Sequence, residues 1–378
     1  MVTAGIRRRW PTTALAAALA VSGCAAVAHG HRAHPSPSAR VTPQATPFTS
    51  PASGPGAGTL SCSLPIYGAS VTAQSAPGTA LGGFLELPSG AVDPVPDTGV
   101  IAVAGAFSEW ETQATPALYG DVPEESYDQP LAQWVPARPS ELSPSGTQYA
   151  YVTVGDVADP STTSVQVHLV TIATASDQVI YSQGETEVLG WDGEQLLLVD
   201  HIPTSDVAEG LLSLDPATAT AVTLQPEVSG VDWYLAAAGA VWGGRTNPAD
   251  SSPPAVFVPW DEALRYDLTT GQISTWSYHP GDQVTVVGAT SSGDPLETIQ
   301  GTGQTTLAVA TSPTSAVTLL TGPGLASARG LAVYSTYTDA HGTWVATDQG
   351  LYLLTPTLRF IQEQVGNFAG ATLVGPCG

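Results

Sequence analysis

A strand–turn–strand unit that returns every 44 to 52 residues constrains this chain more than any other feature. Its turn falls near Thr171, Asp215, Asp267, Thr311 and Thr355, at spacings of 44, 52, 44 and 44 residues. Before the turn stands an apolar or alternating run, such as Leu211-Leu212-Ser213-Leu214 or Leu264-Arg265-Tyr266. After it comes a second, such as Ala221-Val222-Thr223-Leu224 or Ile273-Ser274-Thr275-Trp276. Short runs rich in Val, Thr, Leu, Tyr and Trp, punctuated by Gly and Pro, read as strands. Asp and Thr suit the turns because their side chains bond to nearby backbone, and Gly271 supplies a positive φ. A four-stranded antiparallel sheet with tight turns needs about the length of one repeat. The chain after Cys62 therefore reads as all-β, with little helix signal.

Two stretches give the repeat a family likeness. Ser143-Pro144-Ser145-Gly146-Thr147-Gln148-Tyr149-Ala150-Tyr151 resembles the S-P-D-G-x-x-[IL]-A-[YF] run of TolB-like and WD40-like β-propeller blades, with serine in place of the usual aspartate. Asp339 to Thr347, followed by Gly350-Leu351-Tyr352, resembles the D-x-x-G-x-x-W-x-G-T…G-L-Y pattern of two-component-regulator sensor propellers. It is one residue shorter, and Ala346 replaces a glycine. The likeness spans most of 62–378 and implies a β-propeller. Five repeat-bearing blades fit between Glu141 and Phe360, and the pieces Leu64–Ala137 and Phe368–Cys377 make at least one more. The expectation is a six-bladed β-propeller, with seven blades the alternative. In a propeller the last blade is often completed from both termini, so a Cys62–Cys377 disulfide would lock that seam. The alternative is two unrelated free cysteines.

The N-terminus sets the expected location. Arg7, Arg8 and Arg9 precede a short apolar stretch from Pro11 to Gly23, the layout of a secretory signal peptide. Val21-Ser22-Gly23-Cys24 resembles the lipobox of bacterial lipoproteins, which implies that Cys24 is acylated and becomes the first mature residue. Two or three acyl chains hold a protein on a bilayer, because each buried CH₂ contributes about 0.8 kcal/mol. The alternative is ordinary signal cleavage with Cys24 a free thiol. The reading is thus 1–23 signal peptide, 24–61 anchor and tether, and 62–378 propeller, lipid-anchored on the extracytoplasmic face of the cell membrane. Pro, Ser, Thr, Ala and Gly dominate Ala25–Ser61, too little apolar surface to offset ordering entropy, so a disordered linker is expected. His29, His31 and His34 lie in this linker with no carboxylate nearby and read as solvated.

Charge narrows the partners. There is no lysine; of ten arginines five precede Cys62, and all 33 acids lie at or after Glu86. The part after Cys62 thus carries 5 − 33 = −28 formal charges. Nucleic acid is excluded as a partner, because binding it requires phosphate neutralisation by Lys and Arg. A cationic ligand, a divalent metal or a basic protein fits the field, and plain solubility explains it equally.

Chemistry is sparse. No G-x-S-x-G, H-E-x-x-H, C-x-x-C, P-loop or dinucleotide fingerprint occurs, and without lysine there is no Schiff-base chemistry. No catalytic residue and no cofactor are assigned. Two long segments stand out. Phe107–Gln129 carries Trp110, Tyr119 and Tyr127 among six acids, and Gly243–Glu262 holds Arg245, Asn247, Trp260 and Asp261. Long loops in compact domains are more often functional or disordered than accidental. These seven residues are the candidate binding set for a small ligand or an extracytoplasmic protein; aromatics packed on the blade below are the plain alternative. Trp191-Asp192-Gly193 and Trp233 to Trp242 read as turns and blade cores. His168, alternating with Val167 and Leu169, reads as a strand-face residue, and His201 and His279 as strand-end candidates for a base. The first functional expectation is a binding or scaffolding module. The alternative is a propeller enzyme of lyase, glycosidase or lactonase type, with carboxylates or Ca²⁺ at the channel mouth.

Overall fold

The computed structural model describes residues 46–49, 56–68, 82–95, 126–154, 165–201, 208–226, 231–247, 260–323, 331–366, 368 and 371–378. Two-residue strands β1 (Phe48–Thr49) and β2 (Gly56–Ala57) come first. A sheet follows from β3 (Cys62–Gly68), β4 (Gly82–Leu87) and β5 (Ala91–Val95), then a hairpin of β6 (Ser126–Asp128) and β7 (Gln133–Val135). In the first blade Leu142, bridged to Tyr149, takes the innermost place, and β8 (Gln148–Val154), β9 (Val165–Thr171) and β10 (Ser176–Tyr181) stand second to fourth. The second holds β11 (Glu185–Asp192), β12 (Gln195–His201), β13 (Ala208–Asp215) and β14 (Thr220–Gln225). The third holds β15 (Val231–Ala237), β16 (Ala240–Arg245), β17 (Glu262–Asp267) and β18 (Gln272–Tyr278). The fourth holds β19 (Gln283–Ala289), β20 (Pro295–Gly301), β21 (Gln304–Ser312) and β22 (Ser315–Pro323). The fifth holds β23 (Val333–Asp339), β24 (Gly342–Thr347), β25 (Gly350–Leu354) and β26 (Phe360–Val365). The last strand, β27 (Ala371–Leu373), pairs antiparallel with β3 and so completes the sixth blade from the other end of the chain. The fold is a six-bladed β-propeller.

Five seams between blades are filled by apolar side chains. Leu189, Leu197 and Leu211 meet Trp233, Val241 and Leu264 between blades two and three, and Trp242 meets Val284, Ile299 and Ala308 between three and four. Trp233, Trp242 and Trp344 are fully buried, as the wedge between blades demands of a large ring. The sixth seam is built differently. The β6–β7 hairpin lies in it, and alternation along β7 sends Trp134 toward Tyr67 and Phe84 of blade six and Val135 toward Tyr149 and Val170 of blade one. The Cys62–Cys377 disulfide, with its Cα atoms 5.6 Å apart, closes the ring beside this hairpin.

The innermost strands share a device. In β11, β15, β19 and β23 the register slips at one extra residue, Leu189, Tyr234, Val287 and Tyr334 in turn. Such bulges sharpen strand twist. Side chains next to them bridge blades: Thr336 Oγ1 donates to Val287 O at 2.7 Å, and Val286 N donates to the Tyr234 hydroxyl at 3.0 Å.

One boundary needs correction. The stretch 24–61 reads as anchor and tether, yet its later part joins the propeller. β1 adds in parallel to β22, the outer edge of blade four, and β2 adds to β26, the outer edge of blade five. Thr46 N donates to Tyr278 O and Gly58 N to Gln362 O. Open sheet edges present unpaired backbone groups, and a strap of this kind satisfies them. Among the described residues no helix is long and apolar enough to cross a membrane.

Candidate functional site

Antiparallel order fixes which connections share an end of the ring. Turns from first to second and from third to fourth strands lie at one end; they are short, and the structure describes them throughout blades two to five. Connections from second to third strands, and from one blade to the next, leave from the other end. There they include 248–259, 202–207, 155–164, 69–81 and 96–125, all outside the described residues. The long-connection end is thus where sequence has been inserted between strands.

At that end blade three presents the best-defined polar cluster. Arg245 closes β16 and stands directly opposite Glu262, which opens β17. Arg245 Nε and Nη2 both donate to Glu262 Oε2, at 2.8 and 2.6 Å. Asn247 Nδ2 donates to Glu262 Oε1 at 3.0 Å, and Asn247 N donates to Asp261 Oδ1 at 2.6 Å. Glu262 and Asp261 are 1% and 3% exposed, so both carboxylates are buried and depend on these partners. The chain leading into the next blade holds the same corner: His279 N, just past β18, donates to Asp261 O, and Val284 N on β19 donates to Trp260 O. The cluster clamps both ends of the connection 248–259.

An aromatic wall adjoins the clamp. The Trp260 and Tyr234 rings are stacked, 6.0 Å apart and 11° from parallel. Trp260 lies over Gly244, where a Cβ would come within 2.9 Å of the indole, and Trp233 lies against Gly243 on the other side. The pair Gly243-Gly244 is therefore what admits a tryptophan to each face of β16. Behind the wall Glu297 is fully buried, and Ser277 Oγ donates to its Oε1 at 2.6 Å. Loss of water pushes the Glu297 carboxyl up to about 7. Burial pulls the His279 imidazole down, partly opposed by Asp282. Burial likewise pushes the Tyr234 phenol up.

The seven candidate residues thus separate. Arg245, Asn247, Trp260 and Asp261 come together on blade three. Tyr127 does not join them: it packs in the blade-six seam, edge-on to Phe84 at 4.9 Å and 5.6 Å from Trp134. Trp110, Tyr119 and the acylation candidate Cys24 lie outside the described residues. Glu262, Tyr234, Ser277 and Glu297 were not singled out from sequence. Glu262 carried a signal, as the acid that follows Trp260-Asp261; Glu297, one acid inside a strand, carried none. Among the described residues no group of three or more His, Cys, Asp or Glu is placed to hold a metal ion.

No protein-family model matches the sequence, and no curated protein does. Solved structures do match. TolB from Acinetobacter baumannii aligns at 13% identity over 61% of this chain and 55% of its own, with a TM-score of 0.35. The β-propeller domain of the Trilobed protease from Pyrococcus furiosus aligns at 12% identity over 56% of this chain and 66% of its own, with a TM-score of 0.38. An oligogalacturonate lyase in complex with manganese aligns at 14% identity over 60% of this chain and 63% of its own, with a TM-score of 0.39. The chain spans less than two thirds of the length of each of these.

Proposed function

We propose that this protein is a lipid-anchored, extracytoplasmic binding module that presents the long-connection end of its propeller to a basic protein. The observation that carries this reading is the asymmetry of the two ends. Inserted sequence is confined to one, where a rigid strand scaffold can display it and where binding residues usually reside. The connection 96–125 contains Asp97, Glu109, Glu111, Asp121, Glu124 and Glu125 and no basic residue. Such a segment attracts a basic surface and repels nucleic acid and anionic headgroups. The lipobox-like Val21-Ser22-Gly23-Cys24 supports attachment through an acylated Cys24. The lyase or lactonase alternative calls for converging metal ligands or paired carboxylates and has no carrying observation among the described residues.

Capture from native envelope extracts tests the reading. The chain with Glu109, Glu111, Asp121, Glu124 and Glu125 neutralised should lose a partner that the wild type captures, and rising salt should weaken capture. Neutralising Asp192 and Glu194, at the turn end, should leave it intact. Equal capture by both variants would sink the proposal. Mass spectrometry of the mature chain should find acylated Cys24 as its first residue; an unmodified N-terminus elsewhere removes the anchor.

A further inference from the structure

One face of the blade-one sheet continues from the seam residues Tyr149 and Val170, on which Tyr151 packs, into a set of polar side chains that the clamp does not use. Tyr151 on β8 stands opposite His168 on β9, with rings stacked 4.6 Å apart and 21° from parallel. Thr153 lies two residues further along β8, so it shares that face. Asp177 on β10 pairs with Val170, two residues from His168, and shares it too. Diagonal neighbours on a sheet are within reach of each other. Here they form a continuous relay: His168 Nε2 lies 2.9 Å from Thr153 Oγ1, and His168 Nδ1 lies 3.0 Å from Asp177 Oδ1. The Tyr151 hydroxyl donates to the other Asp177 oxygen at 2.6 Å.

The proton positions follow from the partners. An ionised carboxylate only accepts, so Nδ1 of the neutral imidazole carries the hydrogen toward Asp177. Nε2 is then left with a lone pair aimed at the Thr153 hydroxyl. A hydroxyl, a basic nitrogen and an orienting carboxylate within hydrogen-bond reach are the arrangement that activates a nucleophile. Burial, and then the bond to Asp177, push the Tyr151 phenol above its ordinary value, so it stays a donor and holds the carboxylate in place. Thr153 and Tyr151 are partly exposed, which leaves the hydroxyl open to a reagent.

We propose that Thr153 is an acyl acceptor, activated by His168 and oriented through Asp177, for neutral or cationic activated esters and thioesters. Thr153 Oγ1 attacks the acyl carbon and forms a new C–O bond while His168 Nε2 takes the hydroxyl proton. The bond from the acyl carbon to the leaving oxygen or sulfur breaks, and the leaving group takes that proton from Nε2. Thr153 ends as an ester, and no oxidant, reductant or metal is required. The formal charge of −28 after Cys62, 5 − 33, disfavours anionic donors. This site lies on blade one and stands or falls apart from the binding reading for the long-connection end.

The test uses the whole mature chain and p-nitrophenyl acetate, with peptide mapping by mass spectrometry. Acetyl should accumulate on Thr153. His168→Gln should slow that labelling by about 100-fold, the lower range for a positioned general base. Asp177→Asn should slow it less, Thr153→Ser should retain it, and Thr153→Val should abolish it. Circular dichroism and unfolding midpoints identify any variant that has not folded. A folded wild type with no acetyl on Thr153, or an equal rate in folded His168→Gln, would overturn the proposal. So would a purely structural pattern, in which the variants lower the unfolding midpoint and no protein forms the ester.

Discussion

The two ends of the propeller are built by different means. At the turn end, side chains bond to backbone within five residues of themselves. Asp215 accepts from Ala217 N, Asp267 from Thr269 N and Thr270 N, Ser143 from Gln148 N and Thr355 from Arg359 N. Each of these is local, and a few longer staples are laid over them: the disulfide, Asp339, whose Oδ2 accepts from Trp344 Nε1 and Cys377 N, and blade-to-blade bonds from Trp191 Nε1 to Glu141 O and from the Thr338 and Thr343 hydroxyls to Ala289 O. At the long-connection end the clamp buries the Glu262 and Asp261 carboxylates and shares them across the connection between β16 and β17, through Arg245 and Asn247. Local bonds fix each hairpin whatever its neighbours do. A buried network holds the two strand ends from which a connection leaves.

The largest test falls on the turn end. Replacing Cys62 and Cys377 by serine opens a loop with a sequence separation of 315 residues. The chain-entropy account gives a loss of about 6 kcal/mol as its ceiling for a loop this long. Urea unfolding of the variant against the oxidised wild type measures it. An unchanged midpoint would mean that β27–β3 pairing and Asp339 hold the seam without the disulfide. The next test falls on the clamp. Arg245→Leu leaves Glu262 buried without its cation, which should cost about 3 kcal/mol. A double-mutant cycle with Glu262→Gln should show a coupling above about 1 kcal/mol. Simple additivity there would erase the distinction between the two ends.

Sequence made the turn end legible because its chemistry is local. Thr171, Asp215, Asp267, Thr311 and Thr355 all fall at or beside the turn from third to fourth strand of a blade, where Asp and Thr bond the nearby backbone. In the S-P-x-G run, Ser143 and Ser145 accept backbone N–H groups across the same turn, where the family pattern has an aspartate. The Cys62–Cys377 pairing was also legible, since a ring must bring its ends together. Tyr127 misled because an aromatic residue among acids looks the same in a binding loop as in a wedge. Only its packing decides between them, on Phe84, far away in sequence, and on Trp134 across the hairpin. β1 and β2 were invisible because their pairing depends on the free edges of β22 and β26, not on their own Pro- and Gly-rich composition. The inner-strand bulges fall on Leu189, Tyr234, Val287 and Tyr334, a leucine, a valine and two tyrosines, so no single residue type announces them.

Between the two ends, Glu297 separates paired from unpaired burial. Its Oε2 has no hydrogen-bond partner among the described residues, and burial pushes its carboxyl up to about 7. Unfolded, it returns to about 4.3, so the folded chain binds the extra proton between those values. Stability from this group is full below about 4.3 and is lost as pH rises through about 7, on the order of 3–4 kcal/mol in all. Glu297→Gln should therefore unfold at a higher urea concentration than wild type at pH above about 8, and the gain should shrink toward pH 5. A gain that grows toward acid would contradict the burial account.

The smallest effect belongs to the exposed turn acids and carries the opposite sign. Thr270, through its backbone N–H and then its hydroxyl, holds the Asp267 carboxyl below the ordinary value. The Thr218 hydroxyl and then Ala217 N–H do the same for Asp215. A depressed carboxylate stabilises the fold above its ordinary value, about 3.9, and loses that contribution as pH falls through its lower folded value. Asp267→Ala and Asp215→Ala should each lower the melting temperature slightly near neutral pH, and their differences from wild type should narrow in strong acid. The two turns lie in separate blades and share no partner, so the double variant should equal the sum of the singles. Additivity here, set against coupling at Arg245 and Glu262, is the sharpest statement of how the two ends differ. Coupled turns would mean that the short-turn end, too, is one cooperative network.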